Sequence, residues 1–276
     1  MDRRILGLGM SETTAIIEYP PKLVEACEKL HGIGLNQVQL RYGPILACAQ
    51  LTGQFPYGSL TAIVGPNGAG KTTLIKAILG EIPISAGSIT ISGFDRREIA
   101  YLPQQIEFER DFPITVYDVV AMGLWRKIGL LQRLTSADQD AINDALIMLG
   151  LQHLKNRTIG ELSAGQLQRV LFARLSVQQA PCIILDEPFN ALDEATSEAL
   201  YGIIQSWHKQ GRTIIAVMHD LEMVRRLFPS TLLLAREVIA WGRTNAVLTP
   251  VNIERARRAM DSFAGICTHQ HGHSHG

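Results

Sequence analysis

Gly65-Pro66-Asn67-Gly68-Ala69-Gly70-Lys71-Thr72 is the stretch from which the fold of this chain can be read. It fits the pattern G-x-x-x-x-G-K-[ST], follows the apolar run Leu60 to Val64, and leads into a helical stretch, Thr72 to Leu79, closed by Gly80. Strand, glycine-rich loop and helix in that order make a phosphate cradle. The glycines let the backbone curl so that successive N–H groups point inward, and the helix adds the positive end of its dipole. Lys71 is placed to reach the β- and γ-phosphates, and the Thr72 hydroxyl to ligate Mg²⁺. The bland alternative is a glycine-rich turn with a surface lysine; the flanking strand and helix speak against it. Alone, the loop says only that a nucleoside triphosphate binds.

Downstream, Ile183-Ile184-Leu185-Asp186-Glu187-Pro188 is an apolar strand ending in two carboxylates, a Walker B arrangement. Such a strand is expected beside the loop's own strand, which would bring Asp186 out near Mg²⁺ and place Glu187 to polarise an attacking water. Strand ends with solvated acids are common, so this pair decides nothing alone. Leu162-Ser163-Ala164-Gly165-Gln166-Leu167-Gln168-Arg169 opens a helix with Leu167, Val170, Leu171 and Leu175 on its apolar face. Ser163 with Gln166 fits the S-x-x-Q capping box, and a well-capped helix accounts for these residues locally.

Outward from these motifs, Asn36 to about Ile91 is strand-like, with turns at Gly43-Pro44 and Pro56-Tyr57-Gly58. Residues from about 110 to 175 are helical in pattern; Asp138 to Leu149 sets Ile142, Leu146 and Leu149 on one face. Cys182 to Leu185 and Thr213 to Met218 are β-rich and alternate with helices, the signature of a parallel sheet with crossover helices. Residues 1–34 precede this core; Leu23, Val24, Cys27 and Leu30 suggest one side of a short helix after Pro20-Pro21.

The 276 residues are enough to bury a substantial core, and 46% hydrophobic with 19% charged residues is ordinary for a globular chain. Lys+Arg and Asp+Glu balance at 26 each, which gives no global bias toward nucleic acid. Cys27, Cys48, Cys182 and Cys267 lack CxxC spacing, arguing against a disulfide framework or a zinc ribbon; Cys182 reads as a small buried hydrophobe. No stretch approaches the roughly 20 apolar residues of a membrane span, and the N-terminus is a poor signal peptide. The expected location is cytoplasmic, with any membrane role supplied by a partner.

Gly65 to Thr72, Gln104, Ser163 to Gln166, Asp186-Glu187 and His219, in this order and rough spacing, resemble the ABC (ATP-binding cassette) ATPases over about residues 36 to 250. The resemblance implies an α/β P-loop NTPase with a RecA-like core, an antiparallel β subdomain and an inserted α-helical subdomain at about 110–175. The cassette would span 35–255, between an N-terminal extension (1–34) and a His-rich tail (256–276). It also implies ATP and Mg²⁺, bound by Tyr42 (adenine stacking), Gly65, Pro66, Asn67, Gly68, Ala69, Gly70, Lys71, Thr72 and Thr73, with Thr72, Gln104 and Asp186 around the metal. Lys71, Gln104, Glu187 and His219 would carry the catalysis, His219 as the γ-phosphate switch. Ser163, Ala164, Gly165 and Gln166 would act in trans on ATP held by a second copy, and Asp193 would couple the two sites. A structural histidine and an edge-strand tyrosine are the plain alternatives for His219 and Tyr42. Two positions depart from the family's pattern: Ala164 stands where glycine is usual, and Leu167 where a second glutamine is common. Both changes leave Ser163 and Gly165 intact, so slower or altered turnover is the most they imply.

A narrower resemblance is to the ATPases of zinc and manganese importers. It is carried by Asp111-Phe112-Pro113-Ile114-Thr115-Val116, Asp118 to Gly123, Arg157 to Glu161, Glu187-Pro188-Phe189 and Leu192 to Thr196. It implies import of a divalent metal, a homodimer on the inner face of the membrane, an integral permease, an extracytoplasmic solute-binding protein and no nucleic acid. Apolar residues from Val116 to Trp125 would divide between docking surface and core. This branch grades into importers of iron chelates and other small solutes, and soluble ABC proteins that work on nucleic acid are a third class. The tail adds separate chemistry: His269, His271, His273 and His275 alternate with small or polar residues. Imidazole suits zinc, nickel or copper, whereas Mn²⁺ prefers oxygen, so Zn²⁺ on the tail tilts the cargo toward zinc. A solvated polar tail is the alternative.

Overall fold

A computed structural model describes residues 31–43, 45–104, 113–129, 133–190 and 192–268. The helix expected after Pro20-Pro21, Asp111-Phe112 of the importer-like segment and the tail histidines lie outside them.

Strand β3 (Leu60–Val64) sits within a six-stranded sheet of order β5-β6-β7-β3-β8-β9. The sheet's other strands are β5 (Ile99–Leu102), β6 (Cys182–Asp186), β7 (Thr213–Val217), β8 (Ser230–Leu234) and β9 (Val238–Arg243). All pair in parallel except β9, which runs antiparallel to β8. The strand ending in Asp186 is not the direct neighbour of the loop's strand that the sequence led us to expect: β7 stands between β6 and β3, and pairs with both. Every residue of β3, β6 and β7 is buried, which explains why these strands read as unbroken apolar runs rather than alternating ones.

Because side chains alternate across a strand, those runs feed two cores. On one face Ile63, Ile184, Ile215 and Leu232 pack with helix α1 (Lys71–Leu79) and with a second sheet. That sheet is antiparallel, of order β2-β1-β4, from β1 (Gly32–Tyr42), β2 (Ile45–Pro56) and β4 (Ala86–Ser92). β1 begins at Gly32, inside the expected extension, because Gly32 to Gly34 pair with Pro56 to Gln54 and with Ser92 to Thr90. Two glycines in three residues carry little strand propensity, so this start was not legible.

On the other face Ala62, Ile183, Leu185 and Ile214 pack against helices. Between β5 and β6 lie α2 (Val116–Ala121), α3 (Trp125–Ile128), α4 (Ser136–Met148) and α5 (Ala164–Gln178). After β6 comes α6 (Glu194–Lys209), after β7 α7 (Leu221–Leu227), then α8 (Thr244–Val247) and α9 (Pro250–Thr268). Trp207 of α6 stacks on Phe172 of α5, with centroids 5.6 Å apart. The helical insert is bounded by repeated chemistry: Thr115 with Asp118 and Thr135 with Asp138 form reciprocal capping boxes. The second box starts α4 at Ser136, two residues before the expected Asp138. Gly123 lies where a methyl group would collide with the Arg174 carbonyl, so only glycine lets this turn seat on α5. Val116, Val119, Val120 and Leu124 are core, while Trp125 is 60% exposed.

Candidate nucleotide site

The C-terminal ends of β5, β6, β7 and β3 converge at one edge of the parallel sheet, the edge where ligands of open α/β sheets bind. At the end of β3 the loop from Gly65 to Gly70 is braced from several sides. Any side chain at Gly65 (φ 156°) would strike the Leu234 carbonyl, and one at Gly70 (φ 94°) the Cys48 thiol. The Ala69 carbonyl accepts from the Arg236 N–H at 2.9 Å. Asn67 and Gly68 form the exposed tip. Lys71 is 7% exposed and turns back on its own loop, donating to Gly65 O at 2.8 Å and Pro66 O at 3.1 Å. Burial pulls its pKa down, partly opposed by the charges of Glu187 and Asp186. Thr73 is half-buried on the first turn of α1.

Beside the loop, Thr72 donates its hydroxyl to Asp186 Oδ2 at 3.0 Å. The other oxygen, Asp186 Oδ1, is buried without a hydrogen-bond partner, and desolvation pushes this carboxyl's pKa up. A buried, unpartnered carboxylate oxygen next to a hydroxyl is a costly arrangement that a hard cation relieves. The residues present therefore fit Mg²⁺, with Thr72 and Asp186 as its protein donors.

Glu187 stands one residue past β6 with φ 54°, a left-handed backbone that a non-glycine residue seldom adopts. Its N–H donates to Val217 O at 3.1 Å, which fixes the turn against β7. Both carboxylate oxygens are engaged: Gln104 Nε2, just past β5, donates to Oε2 at 2.7 Å, and His219 Nε2, just past β7, hydrogen-bonds Oε1. Three residues far apart in sequence thus meet on one carboxyl group.

Tyr42 ends β1, 48% exposed, opposite Ile45. The same hairpin carries Ala47 and Cys48 beneath Gly70, so the tyrosine stands at the loop end of the antiparallel sheet. Ser163 caps α5; its Oγ accepts from Gln166 N at 3.3 Å, and its own N–H donates to Gln166 Oε1 at 2.9 Å, the expected box. Ser163 and Ala164 are exposed, and Gly165 faces Leu192 and Thr196. No hydrogen bond among the described residues joins Ser163–Gln166 to Gly65–Thr73. Leu167 packs on the main core, which accounts for an apolar residue at that position. Asp193 caps α6 through Thr196 N at 2.8 Å and Thr196 Oγ1 at 2.9 Å, hydrogen bonds that hold its pKa down.

Three residues of the site escaped the sequence reading. Arg236, itself at φ 61°, props Ala69 and accepts from Ala49 N at 2.7 Å. Cys48 is a buried thiol, its pKa pushed up to about 12 by desolvation. Gln168 donates to Pro188 O at 2.7 Å, tying α5 to the loop that carries Glu187. No motif assigns them these roles, because each acts through a contact with a distant stretch of backbone that forms only in the fold.

A phosphate-binding loop beside a paired carboxyl strand end, with a glutamine and a histidine converging on the second acid, defines a P-loop nucleoside triphosphatase. A family model described as ABC transporter matches residues 48–190. A manganese transport system ATP-binding protein of Bacillus subtilis is 39% identical over 227 residues, covering 81% of this chain and 91% of that protein. A zinc transport system ATP-binding protein of Treponema pallidum is 35% identical over 238 residues, 85% of this chain and 90% of its own. Among solved structures, a metal-chelate type ABC transporter in an inward-facing conformation superposes with TM-score 0.73 at 28% identity, covering 82% of this chain and 89% of that one. The chain belongs to the ABC transporter family, as an ATP-binding cassette that hydrolyses ATP. No helix among the described residues is long and apolar enough to cross a membrane.

Proposed function

We propose that this chain couples ATP hydrolysis to the import of a divalent metal ion. Two copies would act head to tail beneath an integral permease on the inner face of the membrane, fed by an extracytoplasmic solute-binding protein. The observation that carries the hydrolytic half is the convergence of Gln104 and His219 on Glu187, beside an Asp186 oxygen left free for a cation.

On this reading Tyr42 stacks on adenine while the N–H groups of Gly65 to Thr73 close around the phosphates. Lys71 leaves Gly65 O and Pro66 O for the β- and γ-phosphates, exchanging carbonyl partners for charged ones. Mg²⁺, when held by Thr72 and Asp186, with Gln104 near, neutralises charge developing on the phosphates. Glu187 accepts a proton from the water attacking the γ-phosphorus, and the bond to the β-phosphate oxygen breaks, leaving ADP and phosphate. For this, Oε1 must exchange His219 for the water; the freed imidazole then faces the γ-phosphate. Ser163 to Gln166 of the second copy complete the site as a helix N-terminus facing an anion, with Asp193 linking the two sites.

Glu187→Gln tests the assignment. It should bind ATP, accumulate as the nucleotide-closed dimer and turn over about 100-fold slower or worse. Near-normal turnover would remove Glu187 as the base.

The metal cargo is supported by the two transport relatives, one a manganese and the other a zinc system. The likeness to a metal-chelate type transporter supports a chelated metal as the second reading. Growth of a deletion strain under zinc, manganese or iron-chelate limitation separates the three. The exposed Trp125 on the helical insert suits a surface buried against a permease. The tail histidines His269, His271, His273 and His275 lie outside the described residues; we assign them zinc binding on their chemistry. A chain cut after Cys267 should lose at least tenfold in zinc affinity, measured by competition with a chelating dye, and equal affinities would exclude the tail.

A further inference from the structure

One short turn is bonded to both ends of the nucleotide site. Strands β8 and β9 are joined by Ala235, Arg236 and Glu237. Leu233 pairs with Val64, so this turn leaves the sheet beside the start of the phosphate loop. Arg236 stands in its middle, half-buried and at φ 61°. Its N–H donates to Ala69 O, within the phosphate loop, at 2.9 Å. Its other two bonds go to β2: the carbonyl accepts from Ala49 N at 2.7 Å, and guanidinium Nη1 donates to Leu46 O at 3.3 Å.

That end of β2 needs a tie. β4 begins at Ala86, opposite Gln39, so from Leu40 to Tyr42 the hairpin continues as β1 and β2 alone. The ladder is irregular there as well, with register shifts on both sides of Leu40. A two-stranded ribbon is marginally stable by itself, and a broken register bends and twists it. Leu46 pairs with Arg41, and Ile45 with Tyr42. The guanidinium therefore grips the ribbon one pair short of Tyr42. Cys48 Sγ, 3.7 Å from Gly70 O, also links β2 to the loop, but a thiol is a weak donor.

We propose that Arg236 is a positioning residue for nucleotide recognition: it fixes the separation between the Tyr42 end of the hairpin and the phosphate loop, so that one nucleotide spans both. The proposal rests on the reading of Tyr42 as the adenine platform. Base and phosphates are joined by a ribose of fixed reach, so both ends bind well only when their subsites are held at that distance. A platform that drifts must be ordered by the ligand, and affinity falls accordingly. A triphosphate without a base needs only the loop and is indifferent to the hairpin. Asparagine tolerates a left-handed backbone. Arg236→Asn should therefore keep the bonds to Ala69 and Ala49 while removing the guanidinium.

Calorimetry of the full-length chain with MgATP and with magnesium tripolyphosphate, steady-state hydrolysis and thermal melting test this. Arg236→Asn should raise Kd and KM for MgATP by roughly three- to tenfold, the scale of one hydrogen bond. Its kcat and its Kd for tripolyphosphate should stay within about twofold of wild type. Arg236→Gly, with no side chain to oppose φ 61°, should behave the same way. Arg236→Lys keeps a cationic donor and should restore MgATP affinity. Tyr42→Ala should also weaken MgATP and spare tripolyphosphate; adding Arg236→Asn to it should weaken binding no further, since the tie acts through the platform. An unchanged MgATP Kd in Arg236→Asn and Arg236→Gly, an equal loss of tripolyphosphate affinity, or additive losses in the double variant would overturn the proposal and leave the nucleotide site standing. A Tyr42→Ala chain that binds MgATP as well as wild type would instead remove the adenine platform, and this inference with it.

Discussion

At the scale of single residues, the two acids that end β6 are held in opposite ways. Asp186 has an oxygen with nothing to bond, whereas Glu187 has both oxygens taken. The sequence shows both acids and, through resemblance, names Gln104 and His219 as partners in the chemistry. It does not show that both converge on one carboxyl group, nor that Glu187 occupies a left-handed backbone. That conformation is imposed by the turn seated on Val217, a tertiary contact no local pattern encodes. The convergence gives Gln104 a test of its own. Gln104→Ala should leave ATP affinity within about twofold and slow turnover by roughly 10- to 100-fold, the worth of one hydrogen bond to a charged group. Single-turnover hydrolysis separates that loss from any change in binding.

At the scale of elements, legibility followed chemistry close in sequence. Leu60 to Val64 and the S-x-x-Q box of α5 were plain, since a strand between breakers and a reciprocal cap need only neighbouring residues. Strands β8 and β9 were not singled out; Thr231 to Leu234 is an apolar run too short to tell from a piece of buried helix. Within the helical insert, Asp138 does two jobs. Hydrogen bonds from Thr135, followed by one from Lys127 at 2.9 Å, hold its pKa at about 2 against an ordinary 3.8. A carboxyl whose pKa is depressed on folding contributes stability that is fully present above its unfolded value. That contribution is lost as pH falls through the folded value. The melting temperature of the wild type should therefore exceed that of Asp138→Asn at neutral pH. The gap should close as pH falls from about 4 toward 2. A gap that persists at the acid end would assign the effect to packing instead.

At the scale of the whole molecule, the site is assembled at the sheet edge but is completed, on the proposed reading, by a second copy. Ser163 and Ala164 are exposed in the single chain, and Ser163's capping bonds are already made, so nothing within one copy requires them elsewhere. Complementation tests this directly. Lys71→Ala and Ser163→Arg chains should each be inactive alone. Mixed, they form dimers in which one intact phosphate loop meets one intact Ser163 helix, and hydrolysis should return. Activity that stays absent on mixing, with dimers present, would deny the shared site.

The resting position of Lys71 has a kinetic meaning. Its ammonium is lodged on the carbonyls of Gly65 and Pro66, so capture of nucleotide is an exchange reaction, not the filling of a vacancy. Association with ATP should proceed more slowly than the electrostatically steered encounter limit of about 10⁸ M⁻¹s⁻¹, at a pace set by how often the lysine lets go.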